Sequence, residues 1–95
     1  MNIKILEKKD NKLRVEIEGE GHTLCNAIKS ILFEDEALVF AGYRIEHALL
    51  SKPILYISTN GKKDPLVLLN ETLKKLEMRI EEFKEKFRRE LEKLN

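Results

Sequence analysis

From Asp64 onward nothing in this chain interrupts a helix. Asp64 is a preferred N-cap residue, and Pro65 follows at the first helical position, where its fixed φ is already right and its missing N–H would be unpaired anyway. Apolar residues then fall at Leu66, Leu69, Leu73, Leu76, Ile80, Phe83 and Phe87 in alternating steps of three and four, and at Leu91 and Leu94 after one step of four. That is the heptad period of helices packed nearly parallel. About thirty residues at about 1.5 Å each reach about 45 Å, whereas a globule formed by 95 residues is only about 30 Å across. Such a helix outruns its own domain. The last three or four turns, with Phe83, Phe87, Leu91 and Leu94, are expected to overhang, and each of these side chains left in water forgoes about 1.5–3 kcal/mol. The overhang calls for a partner. On the opposite face Glu71/Lys75, Glu82/Lys86 and Glu85/Arg89 stand four apart with the acid first, pairs that add about 0.3 kcal/mol each and mark a solvated side.

The preceding residues read as two strand pairs flanking a short helix. Leu13, Val15 and Ile17 alternate with Arg14, Glu16 and Glu18, which predicts a strand over 13–18, paired with another over 3–8 through a tight turn at Asp10-Asn11. A helix is expected over 23–34. Thr23 is its expected N-cap, and Leu24, Ile28, Ile31 and Leu32 fall on one face. Glu34-Asp35-Glu36 should end it, because carboxylates are unfavourable at the negative end of the helix dipole. Strands over 38–46 and 54–59 follow, with Pro53 at the start of the second and Asn60-Gly61 as a turn. Strict alternation puts Val39, Ala41, Tyr43 and Ile45 on one face and Leu38 and Phe40 on the other, while Ile54 to Ile57 is continuously apolar. Both faces of this pair are therefore expected to be covered. The fold class is α+β: a single domain over 1–95 with a four-stranded, mainly antiparallel sheet and two helices on one face, the C-terminal one long and protruding.

Composition narrows the function classes. Eighteen Lys and Arg against seventeen Asp and Glu leave a net charge of +1, so no global field attracts nucleic acid or an acidic membrane. No apolar run exceeds five residues, and the N-terminal residues lack the apolar segment of a signal peptide; a cytoplasmic chain is expected. One cysteine excludes an intrachain disulfide. His22-x-x-Cys25 with His47 supplies three ligands, one short of a closed structural zinc site. Cys25 is expected to be a buried small apolar residue, His22 a hydrogen-bonding residue holding the Gly-Glu-Gly loop at the helix start, and His47 a strand-end residue. Gly19-Glu20-Gly21 lacks the third glycine and the Lys-Ser/Thr of a phosphate loop and reads as a turn. No catalytic residue, metal or cofactor is expected. Asn26, inside the first helical turn, either bonds the local backbone or reaches across an interface.

His22-Thr23-Leu24-Cys25-Asn26-Ala27-Ile28, then Ala41-Gly42-Tyr43-Arg44-Ile45-Glu46-His47, then Leu50-Ser51-Lys52-Pro53 and the closing long helix together resemble the small alpha-like assembly subunits of archaeal RNA polymerases, counterparts of the small alpha-like subunit of eukaryotic polymerase II. Two positions depart from that pattern: Lys29 stands where Arg is usual, and Ala48 where members generally carry Pro. The resemblance implies a noncatalytic subunit that pairs through its helices with a larger alpha-like RNA polymerase subunit, the D-type subunit of archaea. That heterodimer would then carry the two large catalytic subunits, with the catalytic magnesium elsewhere. It implies an interface drawn from His22, Thr23, Leu24, Asn26, Ile28 and Leu32 on the first helix and Leu73, Leu76, Ile80, Phe83, Phe87 and Leu91 on the second, with no membrane and no direct nucleic-acid contact. Two other classes stay open at this point, a homodimeric coiled-coil adaptor and a small nucleic-acid-binding module.

Overall fold

The computed structural model describes residues 2–19, 21–45 and 52–94. Strands β1 (Asn2–Lys9) and β2 (Lys12–Glu18) form the expected antiparallel hairpin. Asp10 sits in the left-handed region at φ 54°, a conformation that Asp tolerates better than most residues. The alternation in β2 resolves cleanly: Leu13, Val15 and Ile17 are buried, and Arg14 and Glu18 are exposed. Ile3 and Ile5 lie opposite Ile17 and Val15 and so share the core-facing side of the sheet, yet both remain exposed at this edge.

Strands β3 (Leu38–Arg44) and β4 (Ile54–Thr59) complete a four-stranded antiparallel sheet in the order β1-β2-β4-β3. Within β3 the register shifts between Leu38 and Phe40, which pair with Thr59 and Ser58 in turn. The extra residue, Val39, reverses the parity of everything before it. Leu38 therefore shares the core-facing side with Ala41 and Tyr43, correcting the alternation that grouped it with Phe40. The expected cover on both faces is also corrected: Val39 and Phe40 are exposed, and on the outer side Ile54 and Tyr56 are no more than partly buried. Residues 46–51, with His47 and the last residue of the expected strand, lie outside the described residues.

Helix α1 (His22–Leu32) starts one residue earlier than expected, with Gly21 rather than Thr23 as its N-cap. Gly21 has no side chain to cap with. The Cys25 N–H donates to the Gly21 carbonyl at 3.3 Å, which places Thr23 inside the first turn, exposed to solvent. Gly19, at φ 89°, supplies the left-handed residue that lets the chain leave β2. The helix ends at Leu32, and tighter bonds from Glu34 N–H to the Ile31 carbonyl and from Asp35 N–H to the Leu32 carbonyl close it.

Helix α2 (Pro65–Glu92) is 28 residues long, about 42 Å. Asp64 caps it as expected, its Oδ1 accepting the Leu66 N–H at 2.8 Å. Leu13, Val15, Ile17, Ala41, Leu55 and Ile57 of the sheet pack with Ile28, Leu32, Leu68 and Leu69 in one core, so both helices cover the same face. The molecule measures 54 × 35 × 16 Å with a radius of gyration of 15.5 Å, against about 12 Å for a compact chain of this length. The excess is the helix.

Candidate partner interface

The apolar seam of α2 begins inside the core and leaves it. Leu69 is buried, and Leu66, Leu73 and Leu76 pack partly buried against the same cluster. From the next seam residue on, cover is lost: Ile80 is 45% exposed, Phe83 69% and Leu94 82%, with Phe87 and Leu91 between them. Phe83 and Phe87 stack nearly parallel, centroids 6.3 Å apart and planes 9° apart, and present a flat apolar ledge. Folded monomers rarely expose such a continuous strip without a use for it.

Three polar fastenings hold the root of α2. Lys8 Nζ meets Asp64 Oδ2 at 2.9 Å. Lys63 Nζ bridges Asp35 Oδ2 and Glu71 Oε2, each at 2.7 Å. Arg79 donates from Nη1 and Nη2 to the two carboxylate oxygens of Glu34 at 2.9 and 2.7 Å. The hydrogen bond from Arg79 holds the Glu34 carboxyl below its usual range, and those from Lys63 and the Ala37 N–H do the same for Asp35. Lys8 and the Leu66 N–H lower Asp64, while Asp35 and Glu71 raise Lys63. These cations resolve the oddity of an acidic run after a helix C-terminus. Helix α1 stops at Leu32, two residues short of its expected end and just before the run, and Glu34 and Asp35 then serve as anchor points for α2. Of the intrahelical pairs expected, Glu85–Arg89 forms at 3.4 Å; Glu71 turns to Lys63 instead of Lys75, and Glu82 and Lys86 do not close among the described residues.

At the start of α1, His22 turns to Tyr43 on β3 and not to the glycine loop. Nδ1 and the phenolic oxygen are 2.8 Å apart, with ring centroids 5.5 Å apart at 64°. Lys29 Nζ lies over the Tyr43 ring, 5.7 Å from its centroid, within reach of a cation–π contact.

The expected interface residues separate into three groups. Ile28 and Leu32 are 1% and 0% exposed; the chain's own core covers them completely, which corrects their assignment to a partner surface. Leu24, Leu73 and Leu76 are partly buried against that core. Thr23, Asn26, Ile80, Phe83, Phe87 and Leu91 are exposed, as is His22 beside Tyr43. The Asn26 side chain makes no hydrogen bond among the described residues. Sequence reasoning missed Ile3 and Ile5, whose exposure on the core-facing side follows from helices that leave the β1 edge uncovered. Cys25 is fully buried, as expected of a small apolar residue. Among the described residues no cluster of His, Cys, Asp or Glu is arranged to hold a metal, and no helix is long and apolar enough to cross a membrane.

Comparison with known proteins matches residues 12–86 to the RNA polymerase Rpb3/Rpb11 dimerisation domain. The chain is 45% identical over 83 residues to the DNA-directed RNA polymerase subunit Rpo11 of Methanocella arvoryzae, covering 87% of this chain and 89% of that protein. It is 41% identical over 92 residues to the subunit of the same name from Methanococcoides burtonii, covering 97% and 100%. Its fold is similar to the crystal structure of DNA-directed RNA polymerase subunit L from Thermoplasma acidophilum, with a TM-score of 0.82 at 21% identity, covering 97% of this chain and 90% of that one.

Proposed function

The chain belongs to the RNA polymerase Rpb3/Rpb11 dimerisation-domain family, and from that premise we propose that it is a small noncatalytic subunit of a cytoplasmic DNA-directed RNA polymerase that pairs with the larger alpha-like subunit, the D-type subunit of archaea. The pair then serves as the platform on which the large catalytic subunits assemble. The observation that carries this reading is the seam of α2, covered by the domain from Leu66 to Leu76 and exposed from Ile80 to Leu94.

Energetics favour a broad contact. Ile80, Phe83, Phe87 and Leu91 are about half exposed, so covering them gains about half of the 1.5–3 kcal/mol each that a fully exposed side chain would, while association costs about 4–15 kcal/mol in lost freedom. The overhang alone reaches only the low end of that cost, so a tight pair needs further area. The exposed Ile3 and Ile5 beside the core, and Thr23 and Asn26 on α1, are available to supply it.

Co-expression with the larger alpha-like subunit of the same host tests the pairing. A stoichiometric complex that survives size-exclusion chromatography is the expected result. Two separately eluting folded proteins would overturn it.

A further inference from the structure

The overhang of α2 is not evenly charged around its seam. With Ile80, Phe87 and Leu94 as one seam position of the heptad and Phe83 as the other, the flanking positions are Arg79, Lys86 and Lys93 on one side and Lys84 and Leu91 on the other. Every polar flank is basic. Glu81, Glu82, Glu85 and Glu92 fall on the far side, with Arg88 and Arg89 among them; Glu90 alone enters the seam, and Lys93 binds it at 3.0 Å. Arg79 is committed to Glu34. Lys84 reaches Glu81 only at 3.6 Å, with both side chains about two-thirds exposed, a geometry that neutralises little.

This pattern bears on what covers the seam. Two copies of α2 packed in parallel would set one flank against the opposite flank, and two packed antiparallel would set each flank against itself. Antiparallel packing can bring Lys86 and Lys93 against their own counterparts, and parallel packing sets Arg79 against Lys84 and Lys86 against Leu91, so basic residues face basic residues in both. Like charges beside a dry seam oppose that pairing while leaving the apolar strip free for a complementary surface. Resting on the pairing reading above, we infer that the flanks select the partner: the seam from Ile80 to Leu94 fits an apolar strip bordered by carboxylates and disfavours a second copy of this chain.

The test uses the full chain and the larger alpha-like subunit of the same host. Lys84→Glu/Lys86→Glu/Lys93→Glu changes only exposed side chains, so circular dichroism should be unaltered. At low salt this triple variant is expected to lose about tenfold or more in affinity for the larger subunit. The loss should shrink at about 1 M salt, where the screening length falls to about 3 Å. The matching triple Gln variant, with the like charges gone, is expected to self-associate at lower concentration than the unmodified chain in sedimentation velocity. If charge reversal leaves the affinity unchanged while Phe83→Glu/Phe87→Glu abolishes it, the pairing stands and selection by charge is overturned. If the unmodified chain does not bind the larger subunit at all, the pairing and this inference fall together.

Discussion

Arg79 grips both carboxylate oxygens of Glu34 across 45 positions of sequence, one residue before the α2 seam leaves the core at Ile80. The planar fork matches the carboxylate in two parallel bonds, which fixes direction as well as distance. It sits where a lever would be clamped. The pair joins the turn after α1 to α2 at the point where the overhang leaves the domain.

Replacing Arg79 with Lys keeps the charge but replaces the fork with a point donor. The expected result is a small change in melting temperature, because both groups are largely exposed, together with faster amide exchange from Leu76 to Phe83. Exchange unchanged in that segment would show that packing of Leu73 and Leu76 sets the angle alone.

Core and overhang separate by truncation. Ile28→Ala is expected to destabilise the isolated chain by about 2–5 kcal/mol, the cost of a buried large-to-small change. Ile80→Ala should cost the isolated chain well under about 1 kcal/mol, near the level of ordinary surface substitutions, and weaken partner binding instead. Chemical denaturation of the single chains and titration with the larger alpha-like subunit measure both effects. Equal destabilisation by the two substitutions would contradict the assignment of Ile80 to the overhang.

Acid should loosen the root of α2. Glu34, Asp35 and Asp64 have carboxyl pKa values lowered in the fold, so their contribution is present above the unfolded value of about 4 and is lost as pH falls through the lower folded values. Lys63 is raised; its contribution is present below its unfolded value of about 10.4 and is lost as pH climbs through the higher folded one. Denaturation midpoints are expected to be flat between these limits and to fall below about pH 5. Asp35→Asn should flatten the acid limb, and a limb as steep as in the unmodified chain would contradict the role given to Asp35.

The contact between His22 and Tyr43 ties the start of α1 to β3. Tyr43→Phe keeps the ring packing and removes the phenolic oxygen, with an expected cost of at most about 1 kcal/mol for a solvent-reachable hydrogen bond. A cost several times larger would mean that the hydroxyl has a further structural role.

Much of this architecture is legible because its signals are local. Asp64-Pro65 and the heptad steps specify α2 without reference to the rest of the chain, and length arithmetic alone shows that it overhangs. The Val39 bulge is different: it exists only in the register of β3 against Thr59 and Ser58, so strict alternation misassigned Leu38. The N-cap shifted to Gly21 because the chain's exit from β2, not side-chain preference, sets the first helical bond. Apolar periodicity marks a covered face without saying who covers it. Ile28 and Ile80 look alike in sequence, but the domain encloses the first and leaves the second exposed. The anchors Glu34 and Arg79 are tertiary, and nothing local pairs them.

A partner that binds only the folded chain should also raise its melting temperature, adding about 2.7 kcal/mol at a hundredfold excess over Kd. The rise should grow with the concentration of the larger alpha-like subunit. A melt independent of that concentration, with both proteins folded, would count against the pairing.

The most direct measurement is a pull-down with the larger alpha-like subunit using Phe83→Glu/Phe87→Glu, compared with Glu82→Gln/Glu85→Gln on the far side of the same helix. The phenylalanine pair is exposed and stacked on the overhang, so the isolated variant should keep its helical circular dichroism. In the complex the same change would bury unpaired carboxylates, at several kcal/mol each, whereas the control changes exposed charges worth tenths of a kcal/mol. Loss of binding by the phenylalanine variant alone is the predicted result; retention of binding equal to that of the control would show that the assembly surface lies elsewhere.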